Sequence, residues 1–333
     1  MMKTIDGNQV YTIARTASSF FFQRKSTTIA TEDYQQIYNA IKDLLTLLSC
    51  AITFRSIALL EHYLLWLKLR LGAFAITDEL FKYKMDCIRR ALEAELDQKP
   101  AVYFFDEAVK NVQNQEITIT PIDENVRTYL NYIMSMDREG ALHFIESMMA
   151  SGMNMHSIYL NILEPALYET GRLWQSRVID IYQEHYATAV THAAMSLIMT
   201  RLKENNGGGG LSVIAASPSG EGHDLGLRMV CDFFELEGIH TFFLGCNIPT
   251  ESIYKSLVFR KPDVLCLSLT LPEFLPDVVA LIHMIRANPV LTSMKILVGG
   301  QVFNIDPVLT EKIGADIYAG SAMDAVKQMR VLL

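Results

Sequence analysis

The sequence predicts a chain of two halves, a helical front and a doubly wound α/β domain behind it, built on a parallel sheet of about five strands. Three observations predict this. Apolar positions recur every three or four residues through residues 32–113, as at Tyr34, Ile37, Ile41, Leu44, Leu45 and Leu48, which is the period of an amphipathic helix. The run NNGGGG at 205–210 cannot continue a helix and is the clearest boundary in the chain. Beyond it, short apolar runs alternate with amphipathic stretches, the pattern of right-handed crossovers between parallel strands.

In chain order, the start MMKTIDGNQVYTIARTASSFFFQRK lacks a charged segment followed by a long apolar core, so no signal peptide is expected. Residues 32–113 should form three or four helices, with Thr31 or Thr77 as N-caps. Within them SIALLEHYLLWLKLRLGAFAI, residues 56–76, is the most membrane-like stretch. Glu61, His62, Lys68 and Arg70 interrupt it, so it reads as a buried helix and no membrane span is expected. NQEITITPIDEN, 114–125, is a linker by its proline and its short alternating run. A second helical block follows to Asn205. The strand candidates are then LSVIAAS, HTFFLG, VLCLSLT, KILVGG and DIYAG, each followed by a helix. The expected domains are residues 1–120, 121–206 and 207–333.

Composition bounds the function. Of 333 residues 50% are hydrophobic, enough for a large core, and the net charge of −8 argues against a broad nucleic-acid surface. Cys50, Cys87, Cys231, Cys246 and Cys266 are dispersed with no C-x-x-C pair, the usage of a reduced, cytoplasmic protein.

Ligands of doubly wound sheets bind outside the carboxyl ends of the strands. At the first such end lies GEGHDLG, with Glu221, His223 and Gly226. Taken alone this is equally a polar loop with an exposed or helix-capping histidine, and its spacing is not that of a phosphate-binding G-x-G-x-x-G loop. Ser268 and Thr270 end the third strand, and Gly299 and Gly300 end the fourth, so a histidine, two hydroxyls and a glycine pair converge on one edge.

The series E-x-H-x-x-G (Glu221, His223, Gly226), S-x-T (Ser268, Thr270) and G-G (Gly299, Gly300) resembles the flavodoxin-like cobalamin-binding domain of corrinoid proteins. The resemblance implies that His223 is the lower ligand to cobalt, with Glu221 and Ser268 behind it, and that Gly299 and Gly300 let the cofactor's nucleotide tail pass close to the backbone. A neutral imidazole suits cobalt, and a carboxylate on its other nitrogen fixes the tautomer. Glu221 departs from the aspartate commonest in corrinoid methyl carriers. Residues 163–199 further resemble the helical cap of CarH-type photoreceptors, in which a tryptophan precedes a Glu-His pair by nine residues, as Trp174 precedes Glu184 and His185. That implies a cap, residues 121–206, over adenosylcobalamin, with Trp174 against the adenosyl group. A lone helical tryptophan otherwise reads as core packing. Gln175 stands where those receptors carry a second cobalt-binding histidine, leaving His185 or His192 as the remaining donors.

The expected function is therefore that of a cobalamin-binding light sensor without enzymatic activity, whose output is a change in assembly or in a protein partner. The alternative is a corrinoid carrier or subunit for methyl transfer. Residues 1–120 are near neutral and lack a recognition helix, so direct DNA binding is not expected. Their many aromatic residues fit a homo-oligomerisation core or, by resemblance to the photocobilins, a second pocket for a non-covalent bilin such as biliverdin.

Overall fold

The computed structural model describes residues 5–23, 34–72, 78–96, 99–113, 115, 121–202 and 210–332. The chain falls into two compact units. The first is Met1–Thr118 together with Leu271–Leu275 and Ile305–Lys312; the second is Ile119–Thr270, Pro276–Asn304 and Ile313–Leu333.

Among the described residues, five helices of the Met1–Thr118 segment form most of the first unit: α1 Gly7–Phe22, α2 Tyr34–Phe54, α3 Ile57–Gly72, α4 Asp78–Glu95 and α5 Lys99–Gln113. Helix α1 is not among the expected helices. Its start is set by a capping box, in which Asp6 accepts from Gln9 N at 2.9 Å and Gln9 Oε1 accepts from Asp6 N at 3.0 Å. It packs against α2 and α4 through Ile13, Ala14, Ala17 and Phe21, all fully buried. Helix α3 buries Leu59, Leu60, Leu64 and Leu67, as a packed helix should. Among the described residues the helix long and apolar enough to cross a membrane, by length and composition only, is α2 rather than residues 56–76; half of its apolar window is buried. The aromatic residues divide. Phe21, Phe81 and Phe105 are core, whereas Tyr103 is exposed and Phe20 lies under the Arg90 guanidinium. Thr31, Thr77, most of the 114–125 linker and all but Gly210 of the glycine run lie outside the described residues.

The second unit holds α6 Glu124–Met134, α7 Arg138–Ala150, α8 Met155–Ile158, α9 Glu164–Gln175 and α10 Ile181–Leu202. These are followed by β1 Ser212–Pro218, α11 Leu225–Leu236, β2 His240–Ile248, α12 Thr250–Arg260, β3 Val264–Ser268, α13 Leu275–Arg286, β4 Lys295–Gly299, α14 Gln301–Ile305, β5 Ile317–Tyr318 and α16 Ala322–Arg330; the short α15 Leu309–Lys312, between α14 and β5 in sequence, belongs to the first unit. The strands are parallel and ordered β2-β1-β3-β4-β5. Every expected strand is present. The central strand runs are almost wholly apolar because helices cover both faces: Val213, Ile214, Ala215 and Ala216 of β1 and Val264, Leu265, Cys266 and Leu267 of β3 are all buried.

Where the sequence separates a cap from a sheet domain, the structure gives them one core. Tyr129, Ile145, Tyr159, Ile162 and Val190 of the bundle join Phe233 and Phe234 of α11 in a single apolar cluster. A buried polar group crosses the junction. Tyr159 Oη donates to Asp232 Oδ2 at 2.7 Å, and Arg228 Nε donates to Asp232 Oδ1 at 2.9 Å. Burial, with the Asp232 carboxylate next to it, pushes the Tyr159 hydroxyl far above its ordinary pKa, so it stays a donor. Tyr159 also opens a π-helical turn, Tyr159–Leu163, between α8 and α9.

Candidate functional site

In this strand order β1 lies between β2 and β3, so the chain leaves the sheet in opposite directions on its two sides, and a crevice opens at their carboxyl ends. Residues 219–224 fill that edge. Glu221 is fully buried, and a buried carboxylate needs donors. It has them: His223 Nδ1 at 2.5 Å and His223 N at 3.1 Å on Oε1, and Thr270 N at 2.7 Å on Oε2. A carboxylate only accepts, so His223 Nδ1 carries the proton and Nε2 keeps its lone pair. The His223 side chain is 59% exposed although its partner has no exposure at all, so a ring fixed at Nδ1 stands at the surface of the site. The Glu221 hydrogen bond raises the pKa of the imidazole against the lowering effect of burial.

Two contributions to this geometry are absent from the sequence expectations. Thr270 acts through its backbone N–H on Glu221. Asn247, left-handed at φ +55°, sits past a register shift of β2 against β1; its N–H donates to Glu221 O and its Oδ1 accepts from Gly220 N. An Asn shortly after a glycine and before a proline, as in Gly245-Cys246-Asn247-Ile248-Pro249, was the available signal for that turn.

The remaining motif positions sort by what surrounds them. At Gly226, in the first turn of α11, a Cβ would meet nothing within 4 Å, so the space beside it is open. At Gly300, φ +91°, a Cβ would come within 2.6 Å of Leu269 O and 2.9 Å of Ser268 Oγ; at Gly299 it would come within 3.0 Å of Ala319 O. Gly300 is therefore required by the protein's own backbone, Gly299 sits in a tighter but adjustable spot, and Ser268 is found against the Gly300 turn.

On the bundle side, Trp174 is 42% exposed, which removes core packing as its explanation. It ends α9, and Val178, Ile181 and Tyr182 beyond it are exposed as well, an apolar surface of the kind that marks a binding face. His185 Nδ1 pairs with Glu184 Oε2 at 2.5 Å, and Thr188 donates to the other Glu184 oxygen. His185 and His192 stand seven residues apart on α10 and share a face. His192 Nε2 lies 3.1 Å from Asp224 Oδ1, next to His223. The Glu184 charge also acts on the His223 ring. The structure thus turns the Glu184-His185 face of α10 toward the His223 loop and commits His192 to Asp224.

Residues 211–330 match the family described as B12 binding domain, and residues 126–199 match a second family of the same description. The chain carries a cobalamin-binding module. Among curated relatives, the module is similar to dimethylamine corrinoid protein 1 of Methanosarcina acetivorans, 25% identical over 190 residues, 57% of this chain and 82% of that protein. Trimethylamine corrinoid protein 1 of the same organism is 22% identical over 204 residues, 60% of this chain and 93% of that protein. The structure of the Methanosarcina barkeri monomethylamine corrinoid protein shares the fold, with a TM-score of 0.56 at 19% identity over 63% of this chain and 99% of that one. These relatives are named as corrinoid proteins, and they lend no support to light sensing, to the adenosyl form specifically or to a bilin. The donor set fits the cofactor. The corrin supplies the equatorial nitrogens of cobalt, so the module needs one axial donor rather than a cluster, and among the described residues no group of three or more His, Cys, Asp and Glu side chains is placed to hold a metal.

Proposed function

We propose that the protein is a corrinoid carrier that serves a separate methyltransferase and does no catalysis of its own. One observation carries the reading: a single imidazole at the carboxyl edge of the sheet is oriented through Nδ1 by a fully buried glutamate. Cobalamin, when bound, supplies a cobalt whose upper position can take and give up a methyl group. His223 would be the residue that holds the cobalt from this chain, with Glu221 fixing its tautomer and raising its basicity. Thr270 N–H and the Asn247 turn hold Glu221. Trp174, Glu184 and His185 would cover the bound cofactor from the bundle, and Gly226 would leave room beside it. The names of the curated relatives support this carrier reading and point to methylamines as the first methyl donors to test.

The alternative, a light sensor loaded with adenosylcobalamin, is favoured by the exposed Trp174 standing ahead of the paired Glu184 and His185. One preparation separates the two. Protein loaded with methylcobalamin should give up the methyl group to a thiol acceptor when a corrinoid methyltransferase is added, with an absorbance change that follows product. Protein loaded with adenosylcobalamin and given green light should keep its mass and its hydrogen-exchange pattern over residues 125–202. No methyl transfer together with a light-dependent change in either would reverse the assignment.

A further inference from the structure

Asp224 stands at the N-cap of α11, where an aspartate ordinarily accepts hydrogen bonds from the first free backbone N–H groups of the helix. Here it makes no side-chain cap bond. Its carboxylate instead meets His192 Nε2 of α10 at 3.1 Å, with the two side chains only 36% and 22% exposed. The helix forgoes a stabilising cap, and what replaces it is a tie between the bundle and the residue that follows His223.

We infer that the His192–Asp224 pair is a latch that sets access to the upper face of the cofactor. The inference rests on the carrier reading, since a carrier has to admit a methyl donor and an acceptor to the side covered by α10. His192 lies two helical turns beyond the Glu184-His185 pair on the same face, so a tie at His192 fixes where that pair stands. Asp224 also bears on the His223 ring by its charge. One carboxylate is thus adjacent to both halves of the site. The buried Tyr159–Asp232–Arg228 group secures the far side of the bundle on α11, which leaves the His192 end as the part of the junction nearest to His223. His192 touches no reacting atom; it is a positioning residue.

The test uses the whole chain loaded with hydroxocobalamin, with azide as the incoming upper ligand and absorbance as the readout. His192→Ala should accelerate azide substitution at least about threefold while the spectrum of the His223-ligated cobalt stays that of the wild type. Asp224→Ala should accelerate it similarly, and the double variant should be no faster than either single one, because both remove the same tie. His192→Gln, whose amide can still donate to Asp224, should restore part of the slow rate. In protein without cobalamin, His192→Ala should raise amide exchange over residues 184–195 and leave residues 155–163 unchanged. Equal azide rates and equal exchange in variant and wild type, or strictly additive effects in the double variant, overturn the latch. A wild type showing no cobalt–imidazole spectrum overturns the carrier reading instead, and exchange in the unloaded protein still decides the latch.

Discussion

The two sides of the site are built by opposite means. Below, the His223 ring is held by Glu221, Glu221 by the Thr270 N–H, and the chain at Glu221 by the Asn247 turn, so that side is ordered before anything binds. On the bundle side, Trp174 is partly exposed, and Ile181, Tyr182 and His185 are more than half exposed. Such a division lets a ligand be gripped from one side at little ordering cost while the other stays open to exchange. On the carrier reading, affinity and reactivity fall to different segments, and substitution should separate them.

The largest expected effect is on the lower side. His223→Ala should abolish the cobalt–imidazole spectrum and weaken cobalamin binding by more than about 100-fold, beyond what outer-sphere changes cost; titration by absorbance measures both. An unchanged spectrum would remove the lower side from the comparison altogether. Next, Glu221→Gln keeps the shape but not the charge that orients the imidazole, and should weaken binding by about 10- to 100-fold. Gly300→Ala should destabilise the fold by roughly 1–3 kcal/mol, from a strained φ and the approach to Leu269 O, read as a lowered midpoint in urea unfolding. Full stability with lost cobalamin binding would return that glycine to the tail-slot explanation. The smallest effect on affinity belongs to the upper side: Trp174→Ala should change cobalamin binding by less than about 10-fold, near one hydrogen-bond's worth. Its mark should be lost discrimination between methyl-, adenosyl- and hydroxocobalamin, and equal discrimination in both proteins would make that face idle.

The sheet was legible because burial on both faces writes strands as apolar runs, and turn residues punctuate each one. Glu221 and His223 were legible because the chemistry lies in their side chains. The part Thr270 plays through its backbone N–H was not legible, because a backbone N–H leaves no trace in a residue's identity. Asn247 and Asp224 take their roles from a β-bulge and from a helix 32 positions away in sequence, neither of which spacing alone reveals. For Gly300 the geometry adds a backbone reason that a glycine's identity does not show by itself. Helix α1 went unread although Asp6 and Gln9 spell a capping box with a glutamine in the third place. The merging of bundle and sheet into one core also escaped notice, since a glycine run speaks of chain freedom and not of the packing on either side of it.

The π turn at Tyr159–Leu163 bears on where Trp174 points. A single π turn adds one residue to an otherwise α-helical path, and one residue is worth about 100° of rotation at 3.6 residues per turn. Everything from Glu164 onward is thereby out of phase with the buried Met155, Ile158 and Tyr159 before it. Removing one residue from the turn would restore a continuous α-helical phase and roll α9 by about that angle, carrying Trp174 off its present azimuth while the tyrosine anchored to Asp232 stayed put. The extra residue thus works as a fixed angular offset between the part of the bundle that grips α11 and the part that presents an aromatic ring.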